Sequence, residues 1–164
     1  MENEDGIKKV ANLMKGANLC TLSTYDGNKI ISRPMGLQQV AFDGDLWFFT
    51  YEKSNKVSEI NAYPHVNLSF ENSGSWVSLS GTATVLKDFE KAEELWNPFL
   101  KAWFPEGLDT EGLTLLKVAA DSAEYWDAQF PKAIQLLGMV KAAVTGTKAE
   151  GAENETVTFD KSSN

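Results

Sequence analysis

The chain passes from a strand into a helix within residues 49–56, which read Phe49-Thr50-Tyr51-Glu52-Lys53-Ser54-Asn55-Lys56. The apolar run over residues 46–51 predicts a short buried strand, and Ser54 can cap a helix over residues 55–62. Lys53 and Lys56 therefore gather at a helix N-terminus, where free backbone N–H groups and the helix dipole favour a phosphate. The stretch predicts an anion-binding corner.

Arg33 is the single arginine of the chain and lies in the adjoining predicted hairpin strand, from which its planar fork could hold phosphate oxygens bidentately. Three charge-assisted hydrogen bonds contribute about 5–9 kcal/mol, and micromolar binding needs about 8 kcal/mol. Each feature also has a plainer interpretation: the two lysines as a solvated helix face, Arg33 as an edge residue and Ser54 as a cap alone. Their convergence on one strand-to-helix corner favours a binding site.

Outward from this corner, strands with period-two apolar patterns alternate with turns. Hairpin signals stand at Asp26-Gly27-Asn28 and Asp43-Gly44-Asp45. The pattern predicts strands over residues 18–24, 29–42, 46–51, 66–70, 75–86 and 113–126, and helices over 7–14, 55–62, 132–144 and from the Asp88 cap to about Phe104. The fold class is therefore mainly β (α+β), an antiparallel six-stranded barrel with flanking helices. One domain would span residues 1–146, and the polar tail over 147–164 is expected to be flexible.

Composition excludes several classes of partner. The net charge of −8 on 164 residues argues against nucleic acid or an anionic membrane, since both reward basic surfaces. No apolar run approaches the roughly 20 residues of a membrane span. An acidic N-terminus and a single cysteine, Cys20, indicate a cytoplasmic protein without an internal disulfide.

Common catalytic motifs are absent from the sequence. It holds no Gly-x-Gly-x-x-Gly fingerprint, Walker sequence or Gly-x-Ser-x-Gly elbow. Cys20 and His65 are too few for the usual zinc site, and a Cys20–His65 nucleophile pair is a weak alternative to a buried structural cysteine. We predict no catalytic side chain and no metal ligand.

The corner resembles the pyridoxamine-phosphate-oxidase-like family of FMN-binding split barrels. Phe49-Thr50 followed by Ser54-Asn55-Lys56 is similar to the family's Tyr/Phe-Thr and Ser-Arg-Lys, and the likeness continues through Glu59-Ile60-Asn61, Pro64, Val66, Leu68 and Phe70. The general stress protein 26-like branch, which has a Trp-rich helix and a Tyr-Trp-Asp strand ending, is the most similar. The resemblance covers residues 18–126.

The resemblance implies a homodimer that binds FMN, less readily FAD, at its subunit interface. Lys56, Ser54 and Arg33 would hold the phosphate, Thr50 would contact the ribityl chain or ring, and Met35 would line the ring's groove. A second copy would supply Trp103 or Trp126, although Trp126 has an alternative place in the barrel core or in dimer packing. The complete predicted cofactor-binding set is Arg33, Pro34, Met35, Phe49, Thr50, Ser54, Asn55, Lys56, Trp76, Trp103 and Trp126.

Departures from the family pattern narrow the function. Asn55 replaces a phosphate-binding arginine, Trp76 stands where the oxidases have a flavin-contacting glutamine, and the Arg-x-His segment that closes over vitamin B6 is missing after Trp126. The chain is therefore not expected to oxidise pyridoxamine phosphate.

Three hypotheses follow. The first is a flavin-dependent oxidoreductase of general-stress type, in which the flavin carries the electrons and the protein orients it. The second is a non-enzymatic flavin-binding stress protein, which needs the same pocket. The third is a barrel that binds another cofactor, a deazaflavin or a haem with His65 as axial ligand. Substrate and electron donor are not encoded in any recognisable motif.

Overall fold

A computed structural model of the chain describes residues 3–38, 41–128, 132–146 and 152–159. In chain order the elements are α1 (Asn3–Met14), β1 (Leu19–Tyr25), β2 (Ile30–Gly36), β3 (Asp45–Tyr51), α2 (Asn55–Ala62), β4 (His65–Asn72), β5 (Ser75–Leu86), α3 (Phe89–Leu95), β6 (Leu113–Ala128), α4 (Lys132–Thr145) and β7 (Ala152–Thr158). Two 3₁₀ turns, Pro98–Ala102 and Gly107–Asp109, lie between α3 and β6.

The strands form one antiparallel sheet in the order β2-β1-β4-β5-β6-β3, and β7 pairs with the free side of β6. The sheet curls around a core of inward-facing side chains, among them Leu22, Phe48, Leu68, Leu79 and Val118, each fully buried. Alternate residues along each strand face this core because successive side chains of a strand point to opposite faces. The six-stranded antiparallel barrel predicted from the sequence is confirmed, with a seventh strand added.

The first hairpin prediction is confirmed, because β1 pairs with β2 across the turn at Asp26-Gly27-Asn28. The second is wrong: the turn at Asp43-Gly44-Asp45 leads from β2 into β3, and β3 pairs with β6 instead of β2. Gly27 and Gly44 have φ of 97° and 108°, the left-handed region that glycine adopts without steric penalty, and each lies in a loop before an antiparallel strand. The strand predicted over residues 29–42 is shorter than expected, since β2 ends at Gly36.

The prediction of one helix from Asp88 to about Phe104 is wrong for the second half of this segment. Asp88 caps α3 through a hydrogen bond from the backbone N–H of Lys91, but the helix ends at Leu95. Pro98 has no N–H to donate and disfavours helical geometry at the residue before it. The Asn97 side chain instead accepts from the N–H of Phe99 and starts a separate 3₁₀ turn.

The prediction of a flexible tail over residues 147–164 is also wrong for part of this segment. Residues 152–158 form β7, and the buried side chains of Val157 and Phe159 join the core. The Tyr125 hydroxyl donates to Glu155 over 2.9 Å, which ties β7 to β6. Lys9 of α1 pairs with Asp127 of β6 and lies 3.4 Å from a Glu153 carboxylate oxygen of β7. Residues 147–151 and 160–164 lie outside the described parts of the chain.

Candidate functional site

The corner between β3 and α2 has the local structure that the sequence predicts. The N–H of Ser54 donates to the Tyr51 carbonyl over 3.0 Å, and Ser54 occupies the N-cap position of α2. Its hydroxyl does not cap the helix; it lies 3.3 Å from the Thr50 hydroxyl instead. The first turn of α2 also carries no acidic side chain. The positive end of the helix is therefore left without a side-chain acceptor of its own.

Lys56 is the half-buried cation of this corner. Its ammonium donates to the Thr50 hydroxyl over 3.2 Å, and no carboxylate of the described residues lies within ion-pairing distance of it. Burial lowers the pKa of Lys56, the positive charge of Arg33 lowers it further, and Glu59 partly opposes the shift. A buried cation without a counter-ion is costly, and a bound anion would remove that cost.

Arg33 lies close to Lys56 but is already engaged. One terminal nitrogen donates to the Thr24 hydroxyl over 2.6 Å, and the other donates to a carboxylate oxygen of Glu59 over 2.8 Å. Glu59 is 9% exposed and accepts at the same oxygen from Thr24. The arginine thus enters the site as half of a buried ion pair.

A cleft of about 260 Å³ opens beside Lys56. It is lined by Pro34, Met35, Gly36, Gln38, Phe49, Thr50, Tyr51, Lys56, Leu100, Trp103 and Phe104. Six of the predicted cofactor-binding residues therefore share one cavity, and Ser54 adjoins it through Thr50. Asn55 is exposed at the first position of α2.

Trp103 lines the cleft of its own chain, whereas the sequence analysis predicts that a second copy supplies it. The Tyr51 hydroxyl donates to the Trp103 carbonyl over 2.8 Å, and the Trp103 side chain is 61% exposed. The backbone of Trp103 is therefore tied to β3 beside the cleft, and most of the residue's surface is free.

Trp76 and Trp126 lie elsewhere. They face each other across β5 and β6, are 51% and 37% exposed, and flank a separate shallow cavity of about 220 Å³. Thr50 pairs with Thr114 near the start of β6, and Trp126 is twelve residues further along that strand. Within one chain these two tryptophans are not brought to the Lys56 cleft.

Two further cavities occur in the described structure. One of about 390 Å³ lies between α1 and β3, with Met14, Phe42 and Trp47 in its wall. Another of about 230 Å³ lies beside α3, against Leu86 and Leu115. The Lys56 cleft is the stronger candidate site because it combines a half-buried, unpaired cation, a helix N-terminus and apolar walls.

The Cys20–His65 nucleophile pair finds no support. Cys20 is 4% exposed, and burial raises the pKa of its thiol to about 12, so it is not a thiolate at neutral pH. His65 is exposed at the start of β4. Among the described residues, no group of three or more acidic, histidine or cysteine side chains is arranged to hold a metal ion. In the same residues no helix has the length and apolar character that crossing a bilayer requires.

Residues 5–150 match the sequence profile described as pyridoxamine 5'-phosphate oxidase like. The chain belongs to this family. The match covers most of the chain and includes the whole corner and cleft, so the family predicted from residues 18–126 is confirmed.

Individual relatives agree with this assignment. Protein bli-3 of Neurospora crassa is 35% identical over 103 residues, which are 60% of this chain and 49% of the relative, so the match spans about half of the relative's length. A solved structure described as a general stress protein 26 of Jannaschia sp. CCS1 has a TM-score of 0.73 at 24% identity, over 96% of this chain and 99% of that one, and shows the shared fold. The general stress FMN/FAD binding protein of Xanthomonas citri has a TM-score of 0.67 at 26% identity, over 75% of this chain and 89% of that one.

Sequence reasoning missed several residues of the site in this family member. Gln38, Leu100 and Phe104 line the cleft, and Glu59 neutralises Arg33. Glu59 had a readable signal, because it lies three residues after Lys56 and so shares a side of α2. The sequence predicted Leu100 and Phe104 within one continuous helix, whereas Leu100 lies in the 3₁₀ turn and Phe104 follows it.

Proposed function

We propose that this protein binds FMN in the Lys56 cleft, with the phosphate at the β3–α2 corner, and acts as a flavin-dependent oxidoreductase of general-stress type. The observation that carries the proposal is the half-buried Lys56 ammonium, which has no carboxylate partner among the described residues and stands at an uncapped helix N-terminus. The family assignment and the name of the Xanthomonas citri relative support a flavin.

The phosphate is the part of the ligand that the corner fits best. Lys56 would supply one charge-assisted hydrogen bond, and the Ser54 and Thr50 hydroxyls with the first N–H groups of α2 would supply others. Two or three bonds of about 1.5–3 kcal/mol each reach most of the 8 kcal/mol that micromolar affinity requires. A terminal phosphate matches such a point site, which favours FMN over FAD. Arg33 would add hydrogen bonds through those of its N–H groups that Thr24 and Glu59 leave available.

The ring system would lie against the apolar wall of the cleft. Pro34, Met35, Phe49 and Trp103 provide that wall, and Thr50 would contact the ribityl chain or the ring edge. When bound, the flavin supplies the redox chemistry, and the chain's own residues bind and orient it and exclude water. A protein nucleophile is not needed for this, which agrees with the buried and protonated state of Cys20.

A homodimer would bring the remaining predicted residues into use. Trp76 and Trp126 expose large aromatic surfaces on the sheet, away from the cleft of their own chain. Exposed aromatic side chains of this size are typical of protein interfaces. We propose that a second copy places its Trp126 against the flavin and that Trp76 packs in the same interface.

A flavin-binding protein without turnover is the competing function, because it would use the same residues. The two differ in one observable: NADH or NADPH reduces the bound flavin of an oxidoreductase and leaves that of a storage or sensing protein oxidised. A haem held by His65 is less favoured, since that side chain is exposed at the start of β4 and the cleft is lined by other residues.

The test is the visible spectrum of the purified protein after FMN has been added and unbound FMN removed. Wild type is expected to retain flavin bands, and Lys56→Met to bind FMN about 10- to 150-fold more weakly through loss of one charge-assisted bond. Lys53→Met is the matched control, because Lys53 lies three residues away in an exposed position. Absence of retained flavin in wild type at micromolar FMN would refute the cofactor assignment.

A further inference from the structure

Glu59 is a buried carboxylate that the proposed cofactor chemistry leaves unexplained. It projects from α2 into a closed group of contacts with Arg33 of β2 and Thr24 of β1, in which each member hydrogen-bonds to both others. The side chains of Arg33 and Glu59 are 18% and 9% exposed, and Thr24 is 2% exposed. The group therefore sits below the surface, at the base of the phosphate corner.

The pair changes the electrostatics of the corner. At 2.8 Å the charges of Arg33 and Glu59 largely offset each other for a group farther away, and Lys56 is the half-buried cation of the described corner that has no ion pair, beside the exposed Lys53. Lys56 lies one helical turn before Glu59 and senses both charges, since Arg33 lowers its pKa and Glu59 raises it. The half-buried part of the corner, formed by Arg33, Glu59 and Lys56, thus carries a net charge near +1, although it contains two cations.

We propose that Glu59 sets the anion affinity and selectivity of this corner by neutralising Arg33, in competition with the phosphate of the ligand. The inference rests on the proposed function. A purely structural role would make Glu59 a tie between α2 and the β1–β2 hairpin, and its loss would weaken every ligand alike. A charge-setting role instead acts on phosphate esters alone, because an uncharged ligand does not sense the balance.

Glu59→Gln separates the two roles, because glutamine keeps the size and an acceptor oxygen for Arg33 and Thr24 while removing the charge. FMN is compared with riboflavin, which carries the same ring and ribityl chain without the phosphate. The variant is expected to bind FMN about tenfold more tightly and riboflavin within about twofold of wild type, as one unit charge across a partly solvated site predicts. Glu52→Gln is the matched control. It removes the Glu52 carboxylate from the same corner, but this side chain is 36% exposed and paired with Lys87, so the affinities for FMN and riboflavin should both stay within about twofold of wild type.

A second pair of variants tests the inference without relying on the fold of Glu59→Gln alone. In Lys56→Met the preference for FMN over riboflavin should depend much less steeply on salt between about 0.05 and 0.5 M, because the half-buried unpaired cation is gone and only the exposed, well-screened Lys53 remains at the corner. In the double variant Lys56→Met, Glu59→Gln the preference and its salt dependence should return, since Arg33 is then unmasked.

The outcomes distinguish the inference from the proposed function. If wild type binds no FMN, the proposed function and the inference both fall. If wild type binds FMN but Glu59→Gln weakens FMN and riboflavin equally, or if Lys56→Met keeps the full salt dependence of wild type, only the inference is overturned.

Discussion

Gly6 in α1 provides a sharp test of whether β7 is docked. Glycine in a helix is less favourable than alanine by about 1 kcal/mol, so Gly6→Ala would stabilise the protein if nothing packed against α1 at this position. In the structure, however, a Cβ at this position would lie 2.6 Å and 2.9 Å from the two γ-carbons of Val157. Val157 is a β-branched residue of β7, 4% exposed, and cannot swing aside as a long side chain would.

The expected magnitude follows from these opposing terms. Overpacking costs about 1–3 kcal/mol, which outweighs the gain in helix preference, so Gly6→Ala should destabilise wild type by about 1 kcal/mol. In a Val157→Ala background the two γ-carbons are gone and only the Cβ of residue 157 remains, 3.3 Å away, so a small shift relieves the contact and the same change should stabilise by up to about 1 kcal/mol. Since 1 kcal/mol corresponds to about 2–4 °C for a chain of this size, Tm should fall by about that amount in the first case and rise by about that amount in the second.

The assay is thermal unfolding followed by circular dichroism for the four members of the cycle, with urea titration to confirm the free energies. The coupling free energy between the two sites, about 2 kcal/mol, is independent of the helix preference because that term is common to both backgrounds. Equal increases of Tm in both backgrounds would mean that β7 does not pack on α1, and the placement of the C-terminal strand would be wrong.

Two further predictions concern pH. Lys56 must be protonated to hold a phosphate, and burial lowers its pKa. FMN affinity should therefore decline with rising pH at a lower pH than an ordinary lysine would titrate, whereas riboflavin affinity should not change. Fluorescence titration of both flavins measures this, and parallel pH curves for the two flavins would contradict the prediction. Lys9 and Ser75 hold the pKa of Asp127 below its usual range, so its contribution is present above the unfolded-state pKa near 3.9 and lost as pH falls through the lower folded-state value. Asp127→Asn should therefore cost about 1 kcal/mol in urea unfolding at neutral pH and progressively less below about pH 4, and a loss that does not depend on pH would refute the assignment.

The elements that the sequence predicted well are those fixed by short-range chemistry. The Asp-Gly turns, the strand ending at Tyr51 and the helix beginning after Ser54 each depend on residues within one or two turns of chain. The premature end of α3 was readable in the same way, because Asn97-Pro98 is a local stop signal. The helix was predicted to be too long because the apolar periodicity continues past Leu95, beyond this stop signal.

Other features had no local signal. β7 is polar along most of its length, and it is a strand because Val157 and Phe159 find places in the core and Tyr125 donates to Glu155 across the sheet. A polar segment of this composition is disordered unless a partner strand is available, and the sequence alone does not show that the second half of β6 has a free side.

The sequence by itself determined the family, through the resemblance carried by residues 49–70. It also determined the antiparallel barrel and a cationic corner at the start of α2, because turn residues, period-two patterns and helix-start signals act between near neighbours. The tertiary structure decided the charge of that corner, since Arg33 and Glu59 are 26 residues apart and meet only when α2 packs on the β1–β2 hairpin. It likewise decided that Trp103 shares the cleft with Lys56 while Trp76 and Trp126 do not. Strand register and chain crossing fix those distances, and neither is written in the spacing of the residues themselves.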